Sequence, residues 1–459
     1  MARKNKKKKR STKKNIEVVE EQRPLITEPR REPVSRWLYP VLVALIVIIT
    51  FLVFLPTLDN FFLIWDDNAL IVGNQDVRAL DMNLLKKAFF DVAMISWYPI
   101  TILSIALDYA IWGGYEPWGF HLTSNIFHSL NALLVFILIT RLAGYVWKSD
   151  DGTVKREALV AGFVTAILFA LHPLRVESVA WATQRKDMLY AFFYLLGLVT
   201  YLSYVTKERA RKYYLLTIFF FIGSIFSKAM AISFPIVLLI LDYYPLGRLS
   251  FKAGKGEPLK RLLVEKIPFF ALSFFGMLVG LLTHKATGTL TEHSLIVRIL
   301  VSFRGYAFYL YKTLWPASLS PYYPYPSKLS LFSLEGMAPV LIFIAISAVS
   351  LYLIKRSRLY IALWVYYLIT LLPVIGIVQA WGASAADHYT YLSGLAPLLL
   401  FGLLAGLTFR EGSKKALRGL AIAVFLIASV LFARKTLLQI PIWKDTITVW
   451  SQAIDLNPG

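Results

Sequence analysis

Apolar runs of about 20 residues, bounded by Arg, Lys or Pro, recur along almost the whole chain after residue 36. A helical run of that length matches the hydrocarbon thickness of a bilayer, so the pattern predicts an all-α polytopic membrane protein. The first span runs from about Trp37 to Leu58, followed by runs near 119–142, 158–174, 188–205, 213–230 and 231–245. Others lie near 267–284, 336–354, 359–379, 390–409 and 419–438, which makes about eleven crossings. Two further stretches fit the pattern poorly. In 294–319, Arg298, Arg304 and Lys312 interrupt the apolar sequence, and a mid-membrane Arg costs roughly 2.5 kcal/mol or more. Pro99, Asp108 and the Gly113-Gly114 pair do the same in 98–118. The first is expected as a re-entrant or interfacial helix on the outer side, and the second as a similar interfacial helix.

The connecting segments set the direction of crossing. Residues 1–36 begin "MARKNKKKKRSTKK" and carry thirteen Lys/Arg against five Asp/Glu. Such a block reads as a disordered cytoplasmic tail held by anionic membrane lipid, rather than as a nucleic-acid arm. With the tail inside, the loops "KERARK" (207–212), "GRLSFKAGKGEPLKRLLVEK" (247–266), "KRSR" (355–358) and "REGSKKALR" (410–418) fall inside, with a mixed 148–157. These are the basic loops, as the positive-inside rule requires. Counting 294–319 as a span would send "KRSR" and "REGSKKALR" outside. The N-terminus is therefore expected inside and the C-terminus outside.

Composition narrows the chemistry. Hydrophobic residues make up 57% of the 459 and charged residues only 17%, too little polar surface for soluble domains. Cysteine is absent, which excludes a disulfide framework and a thiolate metal site. Neither GxxxxGK[ST] nor GxGxxG precedes a helix, so nothing points to a nucleotide site, and HExxH is missing too. The residues require no cofactor; a divalent cation at Asp66 or Asp67 is compatible with them but not demanded.

The outer loops carry the candidate chemistry. "WDDN" places Asp66 and Asp67 just after the first span; "HPLRVESVAWATQRKD" carries His172, Arg175, Glu177, Gln184, Arg185, Lys186 and Asp187. Lys228 closes the fifth span, and Asp387 and His388 open the tenth. Polar groups gathered at one membrane face suit a substrate that arrives there, whereas a through-path needs charges near the middle of several spans. The set suits sugar transfer from a lipid phosphate: a carboxylate takes the proton of an acceptor hydroxyl, and cations stabilise the leaving phosphate. Each group also has an ordinary reading. Adjacent Asp residues cap helices or sit in solvated turns, "QRKD" can anchor an interface, and Arg298 and Arg304 can snorkel to headgroups.

The blocks "WDDNALIVGNQDV", "WYPITILSIALDY", "PWGFHLTSNIFHSLNALLVF", "LHPLRVESVAWATQRKDML", "FSKAMAISFP", "DHYTYLSGLAPLL" and "WKDTITVWSQAIDLNP" follow one another along the chain. Their order resembles the transmembrane-and-tetratricopeptide-repeat O-mannosyltransferase family and its prokaryotic relatives, of the GT-C superfamily. The resemblance implies a GT-C-type bundle, a polyprenyl-phosphate sugar donor and inverting transfer to a protein, glycan or lipid acceptor. It implies that Asp66 and Asp67 form the catalytic acidic motif, with Asp66 slightly favoured as the base. Arg185 and Asp187 match the block before the fourth span, and Lys228 matches a Ser-Lys element. Arg185 and Lys228, with Arg298 and Arg304 behind them, are the candidate donor-phosphate contacts. His172, Glu177, Asp187, Asp387 and His388 are the candidate substrate contacts.

Two departures stand out: Ala229 where the family often has Glu after Ser-Lys, and Asp387-His388 where eukaryotic members often have Glu-Arg. The expected organisation is a tail over 1–36, a transmembrane domain over 37–440 and the start of a tetratricopeptide-like segment over 441–459. A polytopic transporter or lipid flippase is the competing reading, and a non-catalytic scaffold a third.

Overall fold

A computed structural model describes residues 37–91, 97–147, 155–207, 209–250, 256–288, 293–326, 329–377 and 382–457. The basic stretch 1–36 lies outside the described residues, as does most of the mixed loop 148–157. Helix α1 (Leu38–Phe54) is followed by α2 (Met82–Phe90), α3 (Pro99–Trp112), α4 (Pro117–Val146) and α5 (Arg156–Leu171). The short α6 (Val176–Ala180) leads into α7 (Arg185–Thr206), α8 (Arg211–Ser227) and α9 (Phe234–Tyr243). Then come α10 (Leu259–Ala286), α11 (Leu295–Leu314), α12 (Leu334–Leu353) and α13 (Leu359–Leu371). The chain closes with α14 (Thr390–Ser393), α15 (Leu395–Leu407), α16 (Lys415–Gln439) and α17 (Thr446–Leu456). Among the described residues the one sheet is an antiparallel pair, Tyr323–Pro324 against Ala383–Ala385.

The chain is thus an all-helical membrane protein. Among the described residues, six helices are long and apolar enough to cross a bilayer, and up to eight if each of two bent pairs is one span. All eleven expected runs coincide with helices, but α8, α9 and α13 have only 17, 10 and 13 residues. The stretch 294–319 forms the amphipathic α11 and is not among the six, nor is α3, formed from 98–118.

The periphery and centre differ as bilayer physics requires. Helix α1 is apolar all round, and Val41, Ile48 and Leu52 remain exposed on it, as do Leu420, Ile427 and Val430 on α16. Such helices gain nothing by hiding an apolar face from lipid. Helices α4, α5 and α7 form the interior, where small residues and polar pairs provide the association that lipid does not drive. A Cβ on Gly162 would lie 2.1 Å from Thr140 Oγ1, and one on Gly402 the same distance from Thr165 Oγ1. These two glycines let α4, α5 and α15 approach closely. Asn131 Nδ2 donates to Met188 O (2.9 Å) and Tyr391 Oη (3.1 Å), tying α4 to α7 and α14. His128 donates from Nε2 to Ala170 O (3.0 Å) and accepts the Tyr391 hydroxyl at Nδ1 (2.8 Å).

Charged residues gather at the two ends of the bundle. At one end Lys266 Nζ lies 2.6 Å from Asp242, and Arg248 lies 2.7 Å from Glu265. The other end collects the close of α1, α5 and α8 and the start of α4, α7, α9 and α15. That end holds the candidate site.

Candidate active site

The loop after α1 is held from three directions. The Phe61 N–H donates to Lys444 O and the Ile64 N–H to Thr446 Oγ1, both at 2.8 Å. Trp65 packs between Trp181 and Trp450, with ring centroids 4.6 and 5.1 Å away. The C-terminal helix α17 therefore seats directly on the segment carrying the two aspartates. Its start is fixed by a reciprocal cap between Asp445 and Thr448.

The adjacent carboxylates do different things. Asp67 is fully buried and accepts the Leu63 N–H at Oδ2 and the Thr183 N–H at Oδ1, each at 2.9 Å. Both of its oxygens are occupied in holding the loop against the segment before α7. The Asp66 side chain is 19% exposed and pairs with Lys186, Oδ2 to Nζ at 3.0 Å. Of the two, Asp66 is the one with solvent exposure.

Three consecutive residues at the start of α7 then find three partners. Arg185 pairs with Asp108 of α3 at 2.5 Å and donates to Phe120 O at 2.7 Å, with its side chain fully buried. Lys186 holds Asp66, its ammonium 5.2 Å from the Tyr98 ring centroid and 5.9 Å from that of Trp181. Asp187 pairs with Lys228, and the Lys228 ammonium lies 5.8 Å from the Tyr389 ring. A carboxylate in the first turn of α7 is also favoured by the helix dipole. The next layer is Glu177, which accepts the His388 N–H (2.9 Å) and pairs with His388 Nδ1 (2.7 Å). Asp387 accepts the Tyr323 hydroxyl at 2.9 Å. Each of the three basic residues at the start of α7 and the end of α8 is thus already paired with one carboxylate before any ligand arrives.

Several expected residues stand apart from that cluster. His172 accepts the Leu174 N–H at Nδ1 (3.2 Å) and donates from Nε2 to Thr313 O (2.9 Å), so both ring nitrogens are engaged in structure. Arg298 donates to Ile377 O at 3.0 Å. Arg304 lines an open cleft of about 450 Å³ with Tyr323, Ser384 and Asn457. Among the described residues, no hydrogen bond or ion pair links Arg298 or Arg304 to Asp66 or the two lysines. Arg185 is brought to the cluster, but its guanidinium is committed to Asp108 and two carbonyl-bearing neighbours, Ser104 and Phe120. Among the described residues, no group of three or more His, Asp and Glu is placed to hold a metal ion.

Sequence reasoning does not single out Asp108 or Tyr323 as site residues, and it names Lys186 among the polar residues of its loop without giving it a role. Asp108 had a signal: a lone carboxylate in an otherwise apolar stretch needs a buried partner. Lys186 lay within "QRKD", where nothing local distinguishes it from its neighbours.

Burial pushes the Asp67 carboxyl up to about 6, against the Leu63 and Thr183 bonds that lower it and with the nearby Asp66 charge raising it. A raised carboxyl pKa favours the neutral form on folding. Asp67's contribution to stability is therefore complete below its unfolded value of about 4 and is lost as pH rises through 6. Wild type should lose roughly 3 kcal/mol relative to Asp67→Asn across that window. Thermal unfolding of both proteins in detergent from pH 4 to 7 checks this, and a constant gap between them would contradict it.

No protein-family model matches the chain. Curated proteins do. Protein O-mannosyl-transferase Tmtc2 of Drosophila melanogaster is 34% identical over 172 residues, which is 36% of this chain and 16% of that protein. Protein O-mannosyl-transferase TMTC4 of Homo sapiens is 31% identical over 146 residues, 30% of this chain and 20% of the human protein. Protein O-mannosyl-transferase F38B6.6 of Caenorhabditis elegans is 23% identical over 407 residues, covering 86% of this chain and 55% of the nematode protein. The matches span at most about half the length of these three relatives. Among solved structures, the apo oligosaccharyltransferase of Archaeoglobus fulgidus aligns over 88% of this chain and 56% of its own, at 12% identity and a TM-score of 0.45. The chain is similar in sequence to the TMTC protein O-mannosyl-transferases, as its ordered blocks imply.

Proposed function

We propose that this chain is a GT-C-type glycosyltransferase that moves a sugar from a polyprenyl-phosphate donor to an acceptor hydroxyl on the outer face of the membrane. The observation that carries this reading is the site at one end of the bundle. There a partly exposed carboxylate, Asp66, pairs with the buried Lys186, next to Asp187, which pairs with the buried Lys228. In this reading the chain crosses about eleven times over residues 37–440, with 1–36 inside and 441–459 outside. The protein, glycan or lipid acceptor reaches Asp66 from the aqueous side.

The reaction divides cleanly among the residues. Asp66 takes the proton of the acceptor hydroxyl as its oxygen bonds to the anomeric carbon from the face opposite the phosphate. The bond from that carbon to the phosphate oxygen breaks, and the oxygen keeps the electron pair. Attack from the opposite face inverts the anomeric configuration. The ammonium groups of Lys228 and Lys186 stabilise the charge that grows on the leaving phosphate. Asp67, which makes no free contact, keeps the loop in place, and Arg185 fixes the start of α7 from which Lys186 and Asp187 project. Glu177 with His388, and Asp387 with Tyr323, form the wall facing the sugar.

A lipid chain has a place to lie. A half-open apolar groove lies deeper in the bundle, lined among others by Leu138, Leu198, Leu241, Leu363, Tyr366 and Leu399. An isoprenoid tail running inward from Lys228 along α9 would enter it. The test is a panel of polyprenyl-phosphate sugars, mannose first, offered to purified protein with a hydroxyl-bearing peptide acceptor. The expected product has the anomeric configuration opposite to that of the donor; retention, or transfer only from a nucleotide sugar, would refute the reading.

A further inference from the structure

The ion pairs of the candidate site are not equally easy to break, and the difference points to one residue. Lys228 pairs with Asp187, whose side chain is fully buried. Removing that lysine's charge from Asp187 would leave a desolvated carboxylate without a counter-ion, which is strongly unfavourable. Asp187 has a second oxygen that already lacks a hydrogen-bond partner. Lys186 is different. Its partner, Asp66, is 19% exposed, so water can solvate that carboxylate if the pair opens. The Lys186 ammonium itself would not be stranded, because the faces of Tyr98 and Trp181 flank it. The Lys186–Asp66 pair is therefore the weak link in the cluster, and it ties up the carboxylate that the proposed chemistry needs.

We infer that Lys186 is an exchangeable ion: it pairs with Asp66 when the site is empty and transfers to the lipid phosphate when the donor binds. The inference rests on the proposed donor class. A phosphate brings negative charge to a region whose lysines are already paired with carboxylates, and the cheapest cation to recruit is the one whose partner can turn to water. Donor binding thereby frees Asp66 to accept a proton, and an acceptor that arrives first meets a base still held by Lys186. Lys186 thus contacts the leaving group and, through Asp66, sets the order of binding.

The exchange makes Asp66 and the phosphate competitors for one ammonium, which gives an unusual expectation. With sugar-free polyprenyl phosphate as the probe, Asp66→Asn should bind several-fold more tightly than wild type. Lys186→Gln should bind about tenfold more weakly, Lys186→Arg should recover much of the loss, and Asp66→Asn should add nothing in the Lys186→Gln background. Zero-length carbodiimide coupling in wild type provides a readout that needs no variant. The Lys186–Asp66 cross-link should fall when polyprenyl phosphate is added, and neutral polyprenol should leave it unchanged. Tight binding by wild type with no gain in Asp66→Asn and an undiminished Lys186–Asp66 cross-link would overturn the exchange while leaving the donor class standing. No binding of polyprenyl phosphate by wild type would overturn the donor class and the exchange together.

Discussion

Asp66→Asn should reduce sugar transfer by about 10²–10⁴-fold, the usual contribution of a positioned general base, while the protein still folds and inserts. Asparagine keeps the side-chain shape and an oxygen for the Lys186 ammonium, which lies 3.0 Å from Asp66 in the wild type. What it loses is the ability to take a proton. Asp67→Asn is expected to act by a different route. Asparagine can accept only one of the two N–H groups, from Leu63 and Thr183, that the carboxylate now accepts. Its amide would turn a donor toward the other. That change should loosen the loop and lower stability by about 1–3 kcal/mol, with transfer falling as a consequence. Single-turnover rates alongside unfolding temperatures separate the two: a large rate loss at nearly unchanged stability for Asp66→Asn, and a coupled loss for Asp67→Asn. The reverse pattern would exchange their roles.

Asp108→Ala should be the most destabilising single change near the site. Arg185 is fully buried and Asp108 nearly so, and they pair at 2.5 Å. Thr123 also donates to Asp108, at 2.9 Å. Removing one partner of such a pair leaves an uncompensated charge in a poorly solvated place, which typically costs 3–5 kcal/mol. Replacing both with apolar side chains of similar volume, Asp108→Leu with Arg185→Met, should recover most of that loss. Thermal unfolding in detergent gives the comparison. If the double variant remains as unstable as Asp108→Ala, the bonds from Arg185 to Phe120 and Ser104 hold α7 in place and the ion pair is secondary.

Arg185 also illustrates what a sequence can convey. Long apolar runs are a one-dimensional signal, and each expected run coincides with a helix because bilayer thickness and backbone hydrogen bonding leave few alternatives. Their lengths were less legible. Helices α9 and α13 stop at 10 and 13 residues, where Pro245 follows one and Pro373 breaks the other. Loop charge separated the basic loops from those bearing the site residues, and the structure gathers most of the latter at one end of the bundle. Pairing within that end was not legible. Arg185, Lys186 and Asp187 are consecutive, yet a helix turns each by about 100° from the last. They therefore meet Asp108, Asp66 and Lys228, from three separate segments. Nothing in "QRKD" tells which lysine or arginine faces a ligand. Likewise Asp66 and Asp67 are indistinguishable in "WDDN" until Thr183, 116 residues later, donates to one of them.

The last helix also packs against the loop carrying the two aspartates. Helix α17 leaves Ile447 and Ile454 exposed while Trp450 packs on Trp65, beside Asp66. Helix α17 is thus joined to the loop carrying Asp66 by hydrogen bonds and ring contacts.

The central claim is that the site transfers a sugar from a lipid phosphate rather than moving the lipid. It is tested most directly by reconstituting the chain in sealed liposomes with polyprenyl-phosphate [³H]mannose and a peptide acceptor outside. The account predicts that label passes from the lipid to the peptide with wild type and not with Asp66→Asn. Label that crosses the bilayer still attached to its lipid, at equal rates in both proteins and with none on the peptide, would contradict it.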